Sequence, residues 1–169
     1  MVREPVERVI SMFYYIRSHM RWSRKRWKGK KNVPPASWFE KTFDDCVLTN
    51  DPECHVHQVQ VTFFCGKWAE CRNTSSPASL QLAKYNVETQ YSVVGVVERF
   101  NTSLRVMEML VPRWFRGATR LDTAEKVNSN SHNRVGDRVR EVVRERMKNE
   151  LEFYSFINQR LSLQERKYL

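Results

Sequence analysis

Glycine and proline are scarce in this chain of 169 residues, with five and six copies, and that scarcity argues against low-complexity or collagen-like sequence. Long apolar runs are missing as well. None approaches the ~20 residues that a bilayer-spanning helix needs. Met1-Val2-Arg3-Glu4-Pro5 puts charge and a proline where a secretory signal would be apolar, so at face value the chain reads as soluble and cytosolic. No Gly-rich phosphate loop occurs, and no internal repeat. Neither pair of neighbouring cysteines has the two-residue gap of a zinc knuckle.

What is present defines a folded, basic protein. Hydrophobic residues make up 41% of the chain and aromatics 12%, enough for a sizeable core, and 169 residues fit one domain or most of one. The net charge of +10 favours a polyanionic partner: nucleic acid, an acidic membrane face or an acidic polysaccharide.

Periodicity predicts strands alternating with helices, an α/β pattern. Val6, Val9, Ile10, Phe13, Ile16 and Met20 recur at helical spacing behind Pro5, which suits a first helical position. Ser37 with Glu40 reads as a capping box for a helix carrying Trp38, Phe39, Phe43 and Val47. Val59, Val61 and Phe63 alternate and predict a short strand. Ser76-Pro77 opens a helix reaching about Asn86. The run from Tyr91 to Val97 reads as a buried parallel strand. Thr102 or Ser103 is expected to cap a helix that Pro112 stops. A loop follows from Ala118 to Gly136, and then one long closing helix with Val139, Val142, Val143, Met147, Leu151, Tyr154 and Leu161 on one side.

The four cysteines fall into two close pairs, Cys46 with Cys54 and Cys65 with Cys71, each bracketing a short polar loop. Such loops bring Cα atoms within disulfide reach. Two disulfides, a zinc site recruiting His55 and His57, and free buried thiols are the readings to weigh. Asn73-Thr74-Ser75 and Asn101-Thr102-Ser103 fit the N-glycosylation pattern. Together with paired cysteines, they point to an oxidising lumen rather than the cytosol.

Between Arg21 and Lys31, basic residues interleave with Trp22 and Trp27. Guanidinium groups fork onto sulfate or carboxylate, and sugar faces stack on indoles. Arg21 and Lys28 are therefore candidate ligands of an acidic sugar chain. The same composition suits single-stranded nucleic acid, or a solvated linker. The lumenal signs favour the sugar and argue against nucleic acid.

The opening Arg3-Glu4-Pro5-Val6-Glu7-Arg8-Val9-Ile10-Ser11 resembles the 3′-phosphate-binding segment of sulfotransferases, a strand, Arg-Asp-Pro and a helix bearing a serine, with glutamate here in place of aspartate. Lys41-Thr42-Phe43-Asp44-Asp45-Cys46, Phe63-Phe64-Cys65-Gly66 through Glu70-Cys71, Ala83-Lys84-Tyr85-Asn86, Val94-Gly95-Val96 and Pro112-Arg113-Trp114-Phe115-Arg116-Gly117-Ala118-Thr119 extend the likeness in order over nearly the whole chain. They resemble the heparan sulfate and uronyl 2-O-sulfotransferase family, its Pipe-like members in particular.

That resemblance implies an α/β sulfotransferase fold with a central parallel sheet and a helix-rich C-terminal part, of which residues 1–169 are expected to be the C-terminal portion. It implies 3′-phosphoadenosine 5′-phosphosulfate as co-substrate and no metal. Arg3, Ser11, Ser131 and Arg134 are the expected donor contacts, and Arg134 also faces the acceptor. The partner is an acidic polysaccharide, a glycosaminoglycan, the setting is the Golgi lumen in a type II membrane protein, and the assembly is a homotrimer. The family's phosphosulfate loop, catalytic histidine and membrane anchor are expected upstream. None of His19, His55, His57 and His132 matches the histidine, so the chain alone is expected to be inactive. The alternative is a non-catalytic module that holds sulfated glycans.

Overall fold

Pro5 starts the first helix, α1 (Pro5–Ser23), where its fixed φ and missing N–H cost nothing. The computed structural model describes residues 1–23, 34–54, 59–73, 75–121 and 135–168, with backbone alone at 20–23 and 121. The chain forms two compact units. One comprises Met1–Pro5, Gln58–Ser129 and Met147–Leu169, the other Val6–His57 and Asn130–Arg146.

The first unit contains α4 (Val59–Cys65), α5 (Pro77–Gln90), α6 (Phe100–Leu110), α7 (Pro112–Phe115), α8 (Ala118–Leu121) and α10 (Lys148–Tyr168), while α1 beyond Pro5, α2 (Ala36–Glu40), α3 (Phe43–Leu48) and α9 (Asp137–Arg146) belong to the second. Among the described residues the expected parallel sheet is reduced to one parallel bridge, Val2 with Val96. Val2 N–H donates to Gly95 O at 2.8 Å, and Val97 N–H donates to Val2 O at 2.9 Å.

The first unit's core joins α4, α5, α6 and α10 around Val61, Phe64, Leu80, Ala83, Val87, Val106, Phe153, Ile157 and Leu161, with Val2, Val94 and Val96 closing it. Phe64 meets Phe153 and Tyr91, each with ring centroids 5.2 Å apart. Each such buried ring contributes roughly 2–3 kcal/mol of hydrophobic stabilisation.

The strand expected over Val59–Phe63 is a helix. Val59 and Phe63 are exposed, and the buried positions of α4 are Gln60, Val61, Phe64 and Cys65, a spacing of three and four that only a helix turns to one side. The Ser37 capping box is likewise absent. Ser37 lies inside α2, while Thr42 caps α3 by accepting from Asp45 N–H at 3.1 Å. At α6 the N-cap is Arg99, and Ser103 is buried within the helix. The single closing helix is two, broken at Met147. Beyond it α10 buries Glu150, Phe153, Ile157 and Leu161, while Leu151 and Tyr154 are half-buried.

Gly95 marks a close approach. A Cβ there would meet Ser103 Cβ at 2.9 Å and Met107 Cε at 2.8 Å. Methionine can swing away, but Ser103 is pinned, because its hydroxyl donates to Val96 O at 3.0 Å and accepts from Val96 N–H at 2.8 Å. Gly95→Ala is therefore expected to cost about 1–3 kcal/mol through overpacking, read as a melting temperature lowered by roughly 3–10 °C. An unchanged melting temperature would contradict the close approach.

In the second unit α1 buries Val6, Ile10 and Phe13, while Ile16, expected on the same stripe, is 42% exposed. The next buried position is Arg17, 5% exposed. Its guanidinium carbon lies 3.4 Å from the Phe13 ring centroid and 4.3 Å from that of Trp38. Its nitrogens donate to Glu53 Oε2 at 2.9 Å and Trp38 O at 3.2 Å. Burial lowers the Arg17 pKa from its ordinary value, against the opposing pull of Glu53, yet guanidinium stays charged at any physiological pH. Phe13 also meets Phe43 edge-on at 5.3 Å, and α3 packs on α9.

Candidate functional site

The chain enters α1 through three residues whose backbone is held at every step. Val2 is fixed by the parallel bridge. Arg3 N–H donates to Gln60 Oε1 at 2.8 Å, and Arg3 O accepts from Gln60 Nε2 at 3.0 Å. Glu4 N–H donates to Glu98 Oε1 at 2.9 Å, and the other Glu98 oxygen accepts from Tyr154 OH at 2.9 Å. Burial, reinforced by Glu98, pushes the Tyr154 phenol pKa up, so it remains a protonated donor around neutrality.

Gln60 is itself held by the interior. Its Nε2 donates to Glu150 Oε2 at 3.2 Å, and Glu150 Oε1 accepts from Val61 N–H at 2.8 Å. Glu150 is 0% exposed and Gln60 7% exposed. A carboxyl group buried this deeply persists only where hydrogen bonds replace its water. The outcome is an Arg3 with a rigid backbone and a half-buried side chain whose guanidinium makes no hydrogen bond or ion pair among the described residues. A guanidinium without an ion-pair partner is suited to binding an anion in a fork.

Sequence reasoning missed Gln60, Glu98 and Glu150. The available signal was a polar residue at an interior helical position: Gln60 directly before Val61, and Glu150 three residues before Phe153. Ser11 lies half-buried on α1, with no hydrogen bond of its hydroxyl among the described residues. Arg21 falls in the last turns of α1, its side chain beyond what is described, and Lys28, Ser131, Arg134, His55, His57 and His132 lie outside the described residues. His19 is exposed on α1.

Both cysteine pairs are disulfides. Cys46 and Cys54 have Cα atoms 5.9 Å apart, and Cys65 and Cys71 5.6 Å. Loops this short are stabilised by about 2–3 kcal/mol each in the chain-entropy account. The sulfurs are thereby unavailable as thiolate ligands, which removes the reading of the cysteines as zinc ligands; Cys46 stands near Asp51 and Glu53, but Asp51 pairs with Lys41 and Glu53 with Arg17. Of the sequon residues, Asn73 is exposed and Asn101 is exposed in the first turn of α6. The Asn101 sequon's hydroxyl, on Ser103, is buried.

The chain resembles known proteins along most of its length. The profile of the sulfotransferase family matches residues 1–157. The chain is 36% identical over 185 aligned residues to the uronyl 2-sulfotransferase homolog pip of Drosophila melanogaster, covering 97% of this chain and 36% of that protein. It is 37% identical over 125 residues to heparan sulfate 2-O-sulfotransferase 1 of Gallus gallus, covering 71% of this chain and 33% of the relative. The human protein of the same name is 36% identical over the same length. The chain thus spans about a third of the length of the curated relatives it matches.

Proposed function

The chain belongs to the sulfotransferase family, and from that premise we propose that it serves, as part of a larger domain, the transfer of sulfate from 3′-phosphoadenosine 5′-phosphosulfate to the 2-O position of uronic acid in glycosaminoglycans. Arg3 carries the reading. Its backbone is gripped by Gln60 while its guanidinium has no partner among the described residues, which supports a grip on the donor's 3′-phosphate. Ser11 would add a hydroxyl donor, and Ser131 and Arg134 would close on the nucleotide. Arg21, Lys28 and Arg134 would meet acceptor carboxylates.

The donor supplies an activated sulfuryl group when bound. The residues of this chain contribute binding and orientation, and cationic side chains offset the charge that develops during transfer. No histidine of this chain is assigned as the base that takes the 2-hydroxyl proton. The two disulfides support folding in an oxidising lumen, in keeping with the Golgi, with N-glycans at Asn73 and Asn101. The parallel pairing of Val2 with Val96 supports an edge of a central parallel sheet. A homotrimeric assembly and the absence of a metal rest on the family resemblance.

The test compares two nucleotides. The full chain is titrated calorimetrically with adenosine 3′,5′-bisphosphate and with adenosine 5′-monophosphate, which lacks the 3′-phosphate. The bisphosphate is expected to bind at least tenfold more tightly, and Arg3→Ala to remove that preference, a difference of about 1.4 kcal/mol or more. Equal affinities for the unaltered chain would overturn the assignment.

A further inference from the structure

The segment Pro112–Thr119 takes no part in donor binding as assigned above, yet it is built with care. Pro112 opens α7, and Trp114 N–H and Phe115 N–H donate at 3.1 and 3.2 Å to O of Val111, the residue that joins α6 to α7. Gly117 follows at φ +82°, a left-handed turn that other residues resist. Glu108 of α6 then locks α8: its carboxylate accepts from Thr119 N–H at 3.2 Å and Thr119 Oγ1 at 2.7 Å. These bonds, the hydroxyl's foremost, hold the Glu108 pKa below its ordinary value. The acid is thus engaged by the turn and forms no ion pair with Arg113 or Arg116.

The turn presents three side chains to water. Trp114 is 75% exposed, the most exposed large apolar residue among the described residues. Arg113 places its guanidinium carbon 5.4 Å from the Trp114 ring centroid. Arg116 is exposed, and neither arginine forms an ion pair among the described residues. A single exposed apolar residue is ordinary. An exposed indole with one guanidinium beside it and a second exposed arginine two residues on, neither arginine ion-paired among the described residues, combines an apolar ring face with two anion forks on a turn fixed by glycine and a buttressing carboxylate.

We propose that Arg113, Trp114 and Arg116 form a binding platform for an acidic polysaccharide. A sugar ring stacks its C–H face on the Trp114 indole, and the two arginines fork onto the sulfate or carboxylate groups of neighbouring units. This rests on the reading of the chain as acting on a glycosaminoglycan. It adds an acceptor subsite outside the basic stretch from Arg21 to Lys31.

The test uses fluorescence anisotropy of the full chain with a labelled heparan sulfate octasaccharide and, separately, labelled linear polyphosphate, a polyanion without sugar rings. Trp114→Ala is expected to weaken the octasaccharide about tenfold and polyphosphate less than twofold. The double variant R113A/R116A should weaken both ligands and flatten the dependence of log affinity on log salt by roughly one to two units. All three side chains are exposed, so circular dichroism and melting temperature should not change. The platform is overturned if Trp114→Ala leaves octasaccharide affinity within twofold, or weakens polyphosphate equally. If the unaltered chain does not bind the octasaccharide, the glycosaminoglycan reading fails with it. Binding that is indifferent to these substitutions removes the platform alone.

Discussion

Glu150→Ala is expected to destabilise the protein by about 3–4 kcal/mol, lowering the melting temperature by on the order of 10 °C. The carboxyl group is 0% exposed. Truncation leaves a cavity beside Phe153 and strips the buried Val61 N–H of its acceptor at 2.8 Å. Unsatisfied buried donors cost about 1–3 kcal/mol each, and the cavity adds the remainder. Glu150→Gln separates stability from function. The amide oxygen can still accept from Val61, but its nitrogen then faces Gln60 Nε2, a donor against a donor. Turning the Gln60 amide over relieves that clash only by breaking both bonds to Arg3, since Oε1 accepts from Arg3 N–H and Nε2 donates to Arg3 O. The glutamine variant should therefore lose only about 1–2 kcal/mol, while its preference for adenosine 3′,5′-bisphosphate over the monophosphate falls several-fold. A full preference in a folded Glu150→Gln variant would show that Gln60 does not aim Arg3.

Arg17→Ala should cost about 3 kcal/mol, measured by urea denaturation. Three contributions act together. The Phe13 and Trp38 rings lose the cation that lies between them at 3.4 and 4.3 Å. Trp38 O loses a donor at 3.2 Å, and Glu53 loses its partner at 2.9 Å. The Glu53 side chain is 32% exposed, so water partly compensates it, and the loss falls at the lower end for broken buried pairs. Arg17→Lys retains the charge but lacks the flat, stacking guanidinium, and is expected to recover about half of the loss. A lysine variant as destabilised as the alanine variant would argue against the ion pair, and one as stable as the parent against the stacking.

The legibility of this fold depended on which interaction set each element. Local rules were readable. Pro5 and Ser76-Pro77 mark the starts of α1 and α5, and Ser76 accepts from Ser79 N–H at 3.2 Å as an N-cap should. Leu80 and Ala83 point inward in α5. Elements defined by two periodicities at once were misread. Val59, Val61 and Phe63 satisfy alternation, but Val61, Phe64 and Cys65 satisfy helical spacing, and the helix wins because it buries the larger set. Ser103 looked like a cap because serine favours that role. Instead, its hydroxyl serves the extended segment at Val96, a pairing seven residues away that no local rule anticipates.

By itself the sequence determined the family resemblance, the pairing partners open to the cysteines, the helix starts and the arginine that opens the chain. These depend on residue identity, spacing and local backbone preference. Only the tertiary structure decided that the Arg3 backbone is clamped by Gln60, that Gln60 is oriented by a buried Glu150, and that Trp114 stands in water beside Arg113. Each of these joins positions far apart in the chain or depends on which surface the packing leaves uncovered. Burial and hydrogen-bond satisfaction are properties of the assembled fold, so no reading along one dimension could supply them.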